Sequence, residues 1–333
     1  MTRMTRRTLL ATGAAGLALR PVVAQESTRF AAALDRAQEL DQLRCLVIAQ
    51  GGEIVRAEAF RGPGPDRPVN VKSVSKTIVS SVLGAAVDRE IVEVDTTLGE
   101  VMPRLIPAAA DPGVPDITLA DLVTLRGGLE RTSGSGYGPW VASSNWISYA
   151  LSRPMVAEPG ARFLYSTGST HLLGVALAEA ADQSLLALAR DWIGAPLGVE
   201  IPAWTRDPQG YYLGGNEMAV APLDLVRFGE MYRQGGALDG TRVLSAEWVE
   251  ASWTPRTRSP FSRHNYGYGW FLAETSGFRV NYARGYGGQM VYVVPELELT
   301  VVITSDPTRP ARSAGYGGTL NRLLAELIVP EVA

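Results

Sequence analysis

Lys72 and Lys76 are the only lysines in a chain of 333 residues, and both fall in one phrase, Asn70-Val71-Lys72-Ser73-Val74-Ser75-Lys76-Thr77. The other 29 of the 31 basic residues are arginine. Arginine serves wherever a permanent cation suffices, but a pKa above about 12 keeps it from giving up its proton, whereas a buried lysine can be tuned into a base. A lysine kept three residues after a serine therefore points to chemistry, with Ser73 as nucleophile and Lys76 as the group that activates it. Residues three apart share a helical face, which sets the Ser73 hydroxyl and the Lys76 amine one turn apart. A helix start also offers unpaired backbone N–H groups and a partial positive charge, both favourable to an oxyanion.

Other chemistries find little support. Residues 77–87 read Thr-Ile-Val-Ser-Ser-Val-Leu-Gly-Ala-Ala-Val, apolar almost all round, which predicts a central buried helix behind the motif. Only two histidines exist, and no Gly-x-Ser-x-Gly elbow. His171 lies in a helical pattern, Thr170-His-Leu-Leu-Gly-Val-Ala-Leu-Ala, and reads as a packed core residue; His264 follows Ser262-Arg263 in a loop. A Ser-His-Asp triad is thus poorly supported. Metal-ligand spacing is absent, so neither metal nor cofactor is expected. Gly62-Pro-Gly-Pro is locked by proline and Gly127-Gly128 ends a helix, so neither cradles a phosphate. Cys45, the single cysteine, allows no internal disulfide and reads as an inert core residue of an apolar strand.

The first 24 residues read as an address. Thr5-Arg6-Arg7-Thr8-Leu9-Leu10 is a twin-arginine phrase, followed by an apolar run to Leu19 and a small-residue end, Val22-Val23-Ala24. The run is too short to span a bilayer. We expect a signal peptide at 1–24, a periplasmic or secreted protein, and no stable membrane association after cleavage. The formal net charge is −3; residues 1–24 hold four arginines and no acid, so the remainder carries −7. That balance argues against nucleic acid as a partner.

Helical periodicity over 28–43 is followed by an apolar run from Cys45, then Gly51-Gly52, then Glu53-Ile-Val-Arg-Ala-Glu-Ala-Phe, the pattern of a β-hairpin. The middle of the chain is helices broken by Gly/Pro loops, including one at 118–125 with Asp121 three residues past a threonine cap. From Tyr266 onward strands dominate, and a closing helix is expected over 319–328. The fold class is α/β (α+β): an antiparallel sheet built from both termini, flanked by helices, with a large helical insertion. One domain over 25–333 is expected, with an α/β lobe at about 25–76 and 262–333 and a helical lobe at about 77–261.

Two further phrases make the motif specific. Phe163-Leu-Tyr165-Ser166-Thr167-Gly168 and Arg284-Gly285-Tyr286-Gly287-Gly288-Gln289 follow Ser73-x-x-Lys76. Their order and approximate spacing resemble the serine β-lactamase and penicillin-binding protein superfamily, in its branch of class C β-lactamases, esterases and D-amino-acid peptidases. Gly285-Tyr-Gly-Gly-Gln289 and Gly214-Gly215-Asn216-Glu217-Met218 are similar to the group of 6-aminohexanoate-dimer hydrolases and related carboxylesterases. The likeness covers nearly the whole chain after the leader. It implies a β-lactamase/transpeptidase-like fold and a serine hydrolase that cleaves a small ester or amide through an acyl-enzyme on Ser73. Lys76 would take the Ser73 proton directly or tune Tyr165, whose phenol would relay the proton to the leaving group. The oxyanion hole would be the amides of Ser73 and Tyr286.

Thr167, Arg284, Gly285, Gln289 and Asn216 are the substrate contacts so implied, and Asn145 and Trp146, with Tyr137 and Trp140, suggest a pocket wall. Thr167 stands where many relatives have asparagine. Ala283-Arg284-Gly285 stands where lactamases carry Lys-Thr-Gly, so the lysine that binds a β-lactam carboxylate is missing and Arg284 is its partial substitute. A substrate without that carboxylate is expected. The alternatives are a β-lactamase or D-alanyl-D-alanine carboxypeptidase, and a non-catalytic penicillin-binding-like sensor module.

Overall fold

The computed structural model describes residues 29–333, so the twin-arginine leader expected at 1–24 lies outside the described residues. Twelve strands occur among the described residues: β1 (Leu43–Gln50), β2 (Glu53–Ala59), β3 (Val69–Asn70), β4 (Ala219–Val220), β5 (Ala237–Leu238), β6 (Thr241–Arg242), β7 (Thr257–Arg258), β8 (Asn265–Tyr266), β9 (Phe271–Thr275), β10 (Phe278–Gly285), β11 (Gln289–Val294) and β12 (Leu299–Ser305). Eight of them form one sheet in the order β2-β1-β12-β11-β10-β9-β8-β7. Every pairing in it is antiparallel, with Val47 opposite Val302 and Val302 opposite Val291. The sheet is therefore assembled from both ends of the chain, as expected. Gly51 and Gly52 turn the first hairpin with φ of 61° and 90°, the left-handed region that glycine enters without a Cβ clash.

Side-chain alternation splits the sheet's two faces between two cores. Cys45, Val47, Ala49, Val291, Val293 and Val302 join the core of the helical lobe, while Leu46, Ile48, Tyr292, Val301 and Ile303 face the opposite core. The central strands read as continuous apolar runs because both faces are covered. Five helices matter for the site and its supports: α1 (Ala31–Glu39), α2 (Ser75–Val87), α3 (Thr167–Ala181), α4 (Pro222–Arg233) and α5 (Tyr316–Arg322). Helix α4 packs on β11 and β12, and α1 lies with the C-terminal helical segment against the other face.

Two boundaries differ from expectation. Helix α1 stops at Glu39, because Leu40 turns extended and Leu43 is drawn into register opposite Ser305. The closing helix begins at Tyr316 and widens into a π-helical turn over Leu323–Ile328. The Thr118 cap forms as expected, its hydroxyl accepting from Asp121 N at 3.1 Å while the Asp121 carboxylate accepts from Thr118 N. No single helix among the described residues is long and apolar enough to cross a membrane.

Helix α2 is the buried axis of the helical lobe; every residue from Ser75 to Ala86 is inside. Its polar side chains all find partners, which removes the cost of burying them. Thr77 Oγ1 donates to Gly269 O (2.7 Å), Ser80 Oγ to Tyr268 O (2.8 Å), and Ser81 Oγ meets Tyr232 OH (2.9 Å). A Cβ at Gly84 would lie 2.3 Å from the Trp248 indole nitrogen, so only glycine fits there.

Candidate active site

Ser73 sits in a single 3-10 turn, Lys72–Val74, that runs directly into α2. The turn is held on both sides. Ser75 Oγ donates to Lys72 O at 2.6 Å and accepts from Met218 N at 3.2 Å, and Val71 N donates to Met218 O at 3.0 Å. One turn on, Lys76 is 3% exposed and its Nζ has three oxygen neighbours: Ser73 Oγ at 3.2 Å, Thr167 Oγ1 at 3.2 Å and Gly215 O at 2.6 Å. No carboxylate is among them. Burial alone lowers the Lys76 pKa from 10.5 to about 7.

The Tyr165-Ser166-Thr167 segment leads into α3 and is tied to residues 132–133. Thr167 N donates to Ser133 Oγ (2.9 Å), Gly168 N to Thr132 Oγ1 (2.8 Å), and Thr132 N to Ser166 Oγ (3.1 Å). Those bonds satisfy N–H groups of the first turn of α3 that have no partner within the helix. They also hold the Tyr165 ring 5.1 Å from Lys76 Nζ. Burial pushes the Tyr165 phenol above its ordinary pKa, and interactions with Ser73 and with the Arg284 guanidinium offset part of the rise. The sequence left Lys76 either to take the Ser73 proton or to tune Tyr165; in the fold, burial raises the phenol's pKa and lowers the lysine's.

Strand β10 ends beside the Ser73 turn. A Cβ on Gly285 would stand 2.3 Å from Val71 O, so the strand approaches this closely only with glycine there. The next residue, Tyr286, is exposed. The amides of Ser73 and Tyr286 find no hydrogen-bond acceptor among the described residues.

Of the other sequence-predicted contacts, some are brought together and some are not. Thr167 is at the centre, but as an acceptor for Lys76. Asn216 follows the carbonyl that Lys76 binds; its Nδ2 donates to Tyr137 OH at 3.0 Å and its buried Oδ1 has no partner. Gln289 is buried and fully committed. Its Nε2 donates to Ser305 O and Tyr286 O, and its Oε1 accepts from Ser305 N, so it braces the 286–288 turn and is closed to substrate.

Arg284 alternates onto the face of Tyr282 and Tyr292 and donates to Ser313 Oγ (2.6 Å) and Ala311 O; it does not replace the missing lysine. Asn145 caps the helix at Trp146–Leu151, accepting from Ser148 N at 2.8 Å. Trp146 packs with Trp140 against His171 and its indole N–H donates to Val141 O, so this aromatic wall is a small core. His171 is the expected core residue, buried against Asp207 at 3.1 Å. No group of three His, Cys, Asp or Glu side chains gathers to hold a metal among the described residues.

Sequence reading missed Ser133, the Gly215 carbonyl and Glu217. Ser133 Oγ lies 2.9 Å from Thr167 Oγ1, and Glu217 pairs with Lys72. The doubled glycine before Asn216-Glu217 was the available signal, since it marks a backbone that packs close to something. A Cβ on Gly215 would lie 3.1 Å from Lys76 Nζ.

A serine hydroxyl, a buried amine and a phenol therefore meet at the start of α2, with two unpaired amides nearby. The chain is 24% identical over 332 residues to the D-alanyl-D-alanine-carboxypeptidase/endopeptidase AmpH of Escherichia coli (strain K12), covering 85% of this chain and 84% of that one. It is 23% identical over 293 residues to the 6-aminohexanoate-dimer hydrolase of Paenarthrobacter ureafaciens, covering 81% and 74%. Its fold is shared with EstCE1, a hydrolase with promiscuous acyltransferase activity, at a TM-score of 0.74 and 18% identity over 93% of this chain and 99% of that one. The Beta-lactamase family model matches residues 35–326, and the chain belongs to that family as a serine hydrolase.

Proposed function

We propose that the protein is an exported serine hydrolase that cleaves an ester or amide through an acyl-enzyme on Ser73, with Lys76 as the general base. The observation that carries this reading is the Lys76 environment: a buried amine with a pKa of about 7, 3.2 Å from the Ser73 hydroxyl and with no carboxylate beside it. A neutral amine has two N–H donors and one lone pair. Gly215 O can only accept, and Thr167 Oγ1 accepts the second N–H in the arrangement where its own hydrogen turns to Ser133 Oγ, one of the two directions open to that hydroxyl pair. In that arrangement both donors are spent and the lone pair faces Ser73 Oγ, the orientation proton abstraction needs.

Proton transfer leaves an ammonium that keeps all three oxygen partners and lies near the face of the Tyr165 ring. The attacked carbonyl's oxygen is received by the amides of Ser73 and Tyr286, worth about 3–4 kcal/mol per donor in comparable sites. Tyr165, held as a neutral phenol by burial, supplies a proton to the leaving atom, and the proton that Lys76 took from Ser73 then restores the phenol and returns the amine to its neutral form. Water then enters and the same base works in reverse.

A fluorophosphonate probe tests the nucleophile. Peptide mapping should find the adduct on Ser73; an adduct on another residue, or none on folded protein, overturns the mechanism and favours the sensor-module alternative. Nitrocefin turnover compared with p-nitrophenyl esters and D-amino-acid amides separates the β-lactamase and carboxypeptidase alternatives from an esterase. Export rests on the sequence of residues 1–24 alone. A reporter fused to residues 1–30 should be exported, and replacing Arg6 and Arg7 with lysine should stop it.

A further inference from the structure

Beside Tyr165 lies a cavity of about 410 Å³ that the mechanism above does not use. It is lined by three arginines from separate parts of the chain, Arg131, Arg162 and Arg258, together with Phe163, Tyr165 and Phe261. No carboxylate lines it. None of the three guanidiniums is in an ion pair among the described residues: Arg131 lies over the Phe261 ring at 5.6 Å, and Arg258 Nε donates to the Arg263 carbonyl at 2.7 Å. The acid next in sequence, Glu130, is already paired with Arg153.

This is an unusual concentration of charge for a chain of net charge −3. Three unneutralised cations around one cavity repel each other, and an anion resting among them relieves that repulsion. Phe261 is 58% exposed although the chain packs most of its aromatic rings, so an apolar surface waits at the same place. Arginine pairs in two-pronged fashion with a planar carboxylate, and the aromatic wall suits a short hydrocarbon chain leading to it.

We propose that this cavity is a subsite for the anionic end of the substrate, a carboxylate carried on an apolar chain and bound by Arg131, Arg162 and Arg258 on the Tyr165 side of Ser73. The proposal rests on the Ser73 reading and reverses the sequence expectation of a substrate without a carboxylate. That expectation followed from the missing lysine near Gly285; here the cations come from two loops and strand β7, while Arg284 is tied to Ser313 and Ala311.

The test compares p-nitrophenyl hexanoate with the mono-p-nitrophenyl ester of adipic acid, and phenyl hexanoate with its 4-carboxyphenyl counterpart. The first pair adds the carboxylate to the acyl half and the second to the leaving half. In at least one pair, wild-type kcat/KM should favour the carboxylate ester, and the triple variant Arg131→Gln/Arg162→Gln/Arg258→Gln should lower that preference by about 10- to 100-fold, chiefly through KM. Added salt should lower it in the wild type only. The substituted side chains are exposed, and equal melting temperatures without ligand check that the variant folds. No preference in either pair, or one that survives the triple substitution, overturns the proposal. If wild type turns over none of the four esters, fluorophosphonate labelling of Ser73 judges the Ser73 reading separately, and thermal melting with adipate judges the cavity. Stabilisation of wild type but not of the triple variant supports the subsite, and no stabilisation of wild type overturns it.

Discussion

Lys72 Nζ lies 2.8 Å from Glu217 Oε1, and both residues hold left-handed backbone, with φ of 51° and 68°. Asn70 joins them, its Nδ2 donating to Glu217 Oε2 at 2.5 Å and its Oδ1 accepting from Lys72 N at 2.9 Å. Lys72 precedes Ser73, and Glu217 lies two residues after the carbonyl that binds Lys76. The pair therefore pins the two backbones that set the Ser73–Lys76 geometry. Left-handed backbone costs a non-glycine residue about 1–2 kcal/mol, and such strain persists only where the surroundings impose it.

Substitution at Glu217 separates strain from charge. Both Glu217→Gly and Glu217→Ala lose the ion pair, but only glycine adopts the left-handed region freely. Urea denaturation should find the glycine variant more stable than the alanine variant by about 1–2 kcal/mol. Both should lose about 10- to 100-fold in kcat as the pinned backbones relax. Equal stabilities would show that residue 217 is not held left-handed.

The Lys76 pKa of about 7 sets a pH dependence for rate and for stability. The kcat/KM for a neutral ester should rise as pH increases through about 7, as the amine loses its proton, and then level off. For stability, the folded-state pKa lies below the unfolded 10.5, so between about 7 and 10.5 the unfolded chain binds a proton that the folded protein does not. Burial of Lys76 thus weighs against folding in full below pH 7, and this penalty shrinks as pH rises toward 10.5. Denaturation of wild type and of Lys76→Met at pH 6 and pH 9 should show the variant's relative advantage shrinking at the higher pH. A constant difference would mean that Lys76 is not held as a low-pKa amine.

Lys76→Arg keeps a positive charge and cannot offer a lone pair. If proton abstraction is the role, the arginine variant should fall as far as Lys76→Ala, by about two to four orders of magnitude in kcat. Thermal melting must first establish that a guanidinium fits the buried site. Near-wild-type turnover in a folded Lys76→Arg protein would leave lysine as an electrostatic element only.

Gly285→Ala adds one methyl group where the nearest atom, Val71 O, is 2.3 Å from its ideal position. Either β10 or the Ser73 turn must move, which separates the Tyr286 amide from the nucleophile. We expect kcat to drop by about 100-fold or more with KM changed little, the pattern of a lost transition-state contact. Unchanged kcat would exclude the Tyr286 amide from the reaction.

Much of the frame was legible in the chain because it is written in local patterns. The hairpin around Gly51-Gly52, the Thr118 cap and the apolar β11 and β12 follow from side-chain period and turn chemistry over a few residues. Of the proposed catalytic group, the nearness of Ser73 and Lys76 was legible for the same reason, since three residues of separation fix a helical neighbour. Asn145 and Trp146 were misread because aromatic and amide residues in a glycine-rich loop look the same whether they cap and pack or face a ligand. Gln289 and Arg284 were misread because only the course of the chain around them shows that Ser305, Ser313 and Ala311 consume their donors.

The sequence by itself determined which groups meet within one turn of chain: a serine and a lysine on one face, with a buried helix behind them. Only the tertiary structure decided what surrounds them. Gly215 O reaches Lys76 from 139 residues away, and Glu217 reaches Lys72 from 145. Ser133 and Thr167 meet across 34, and the three arginines of the cavity come from separate parts of the chain. The lowered pKa of Lys76 belongs to no single neighbour, since it is the loss of water on every side. Spacing along the chain carries no record of such a shell, because it exists only after the sheet has joined the two ends and closed the helical lobe over α2.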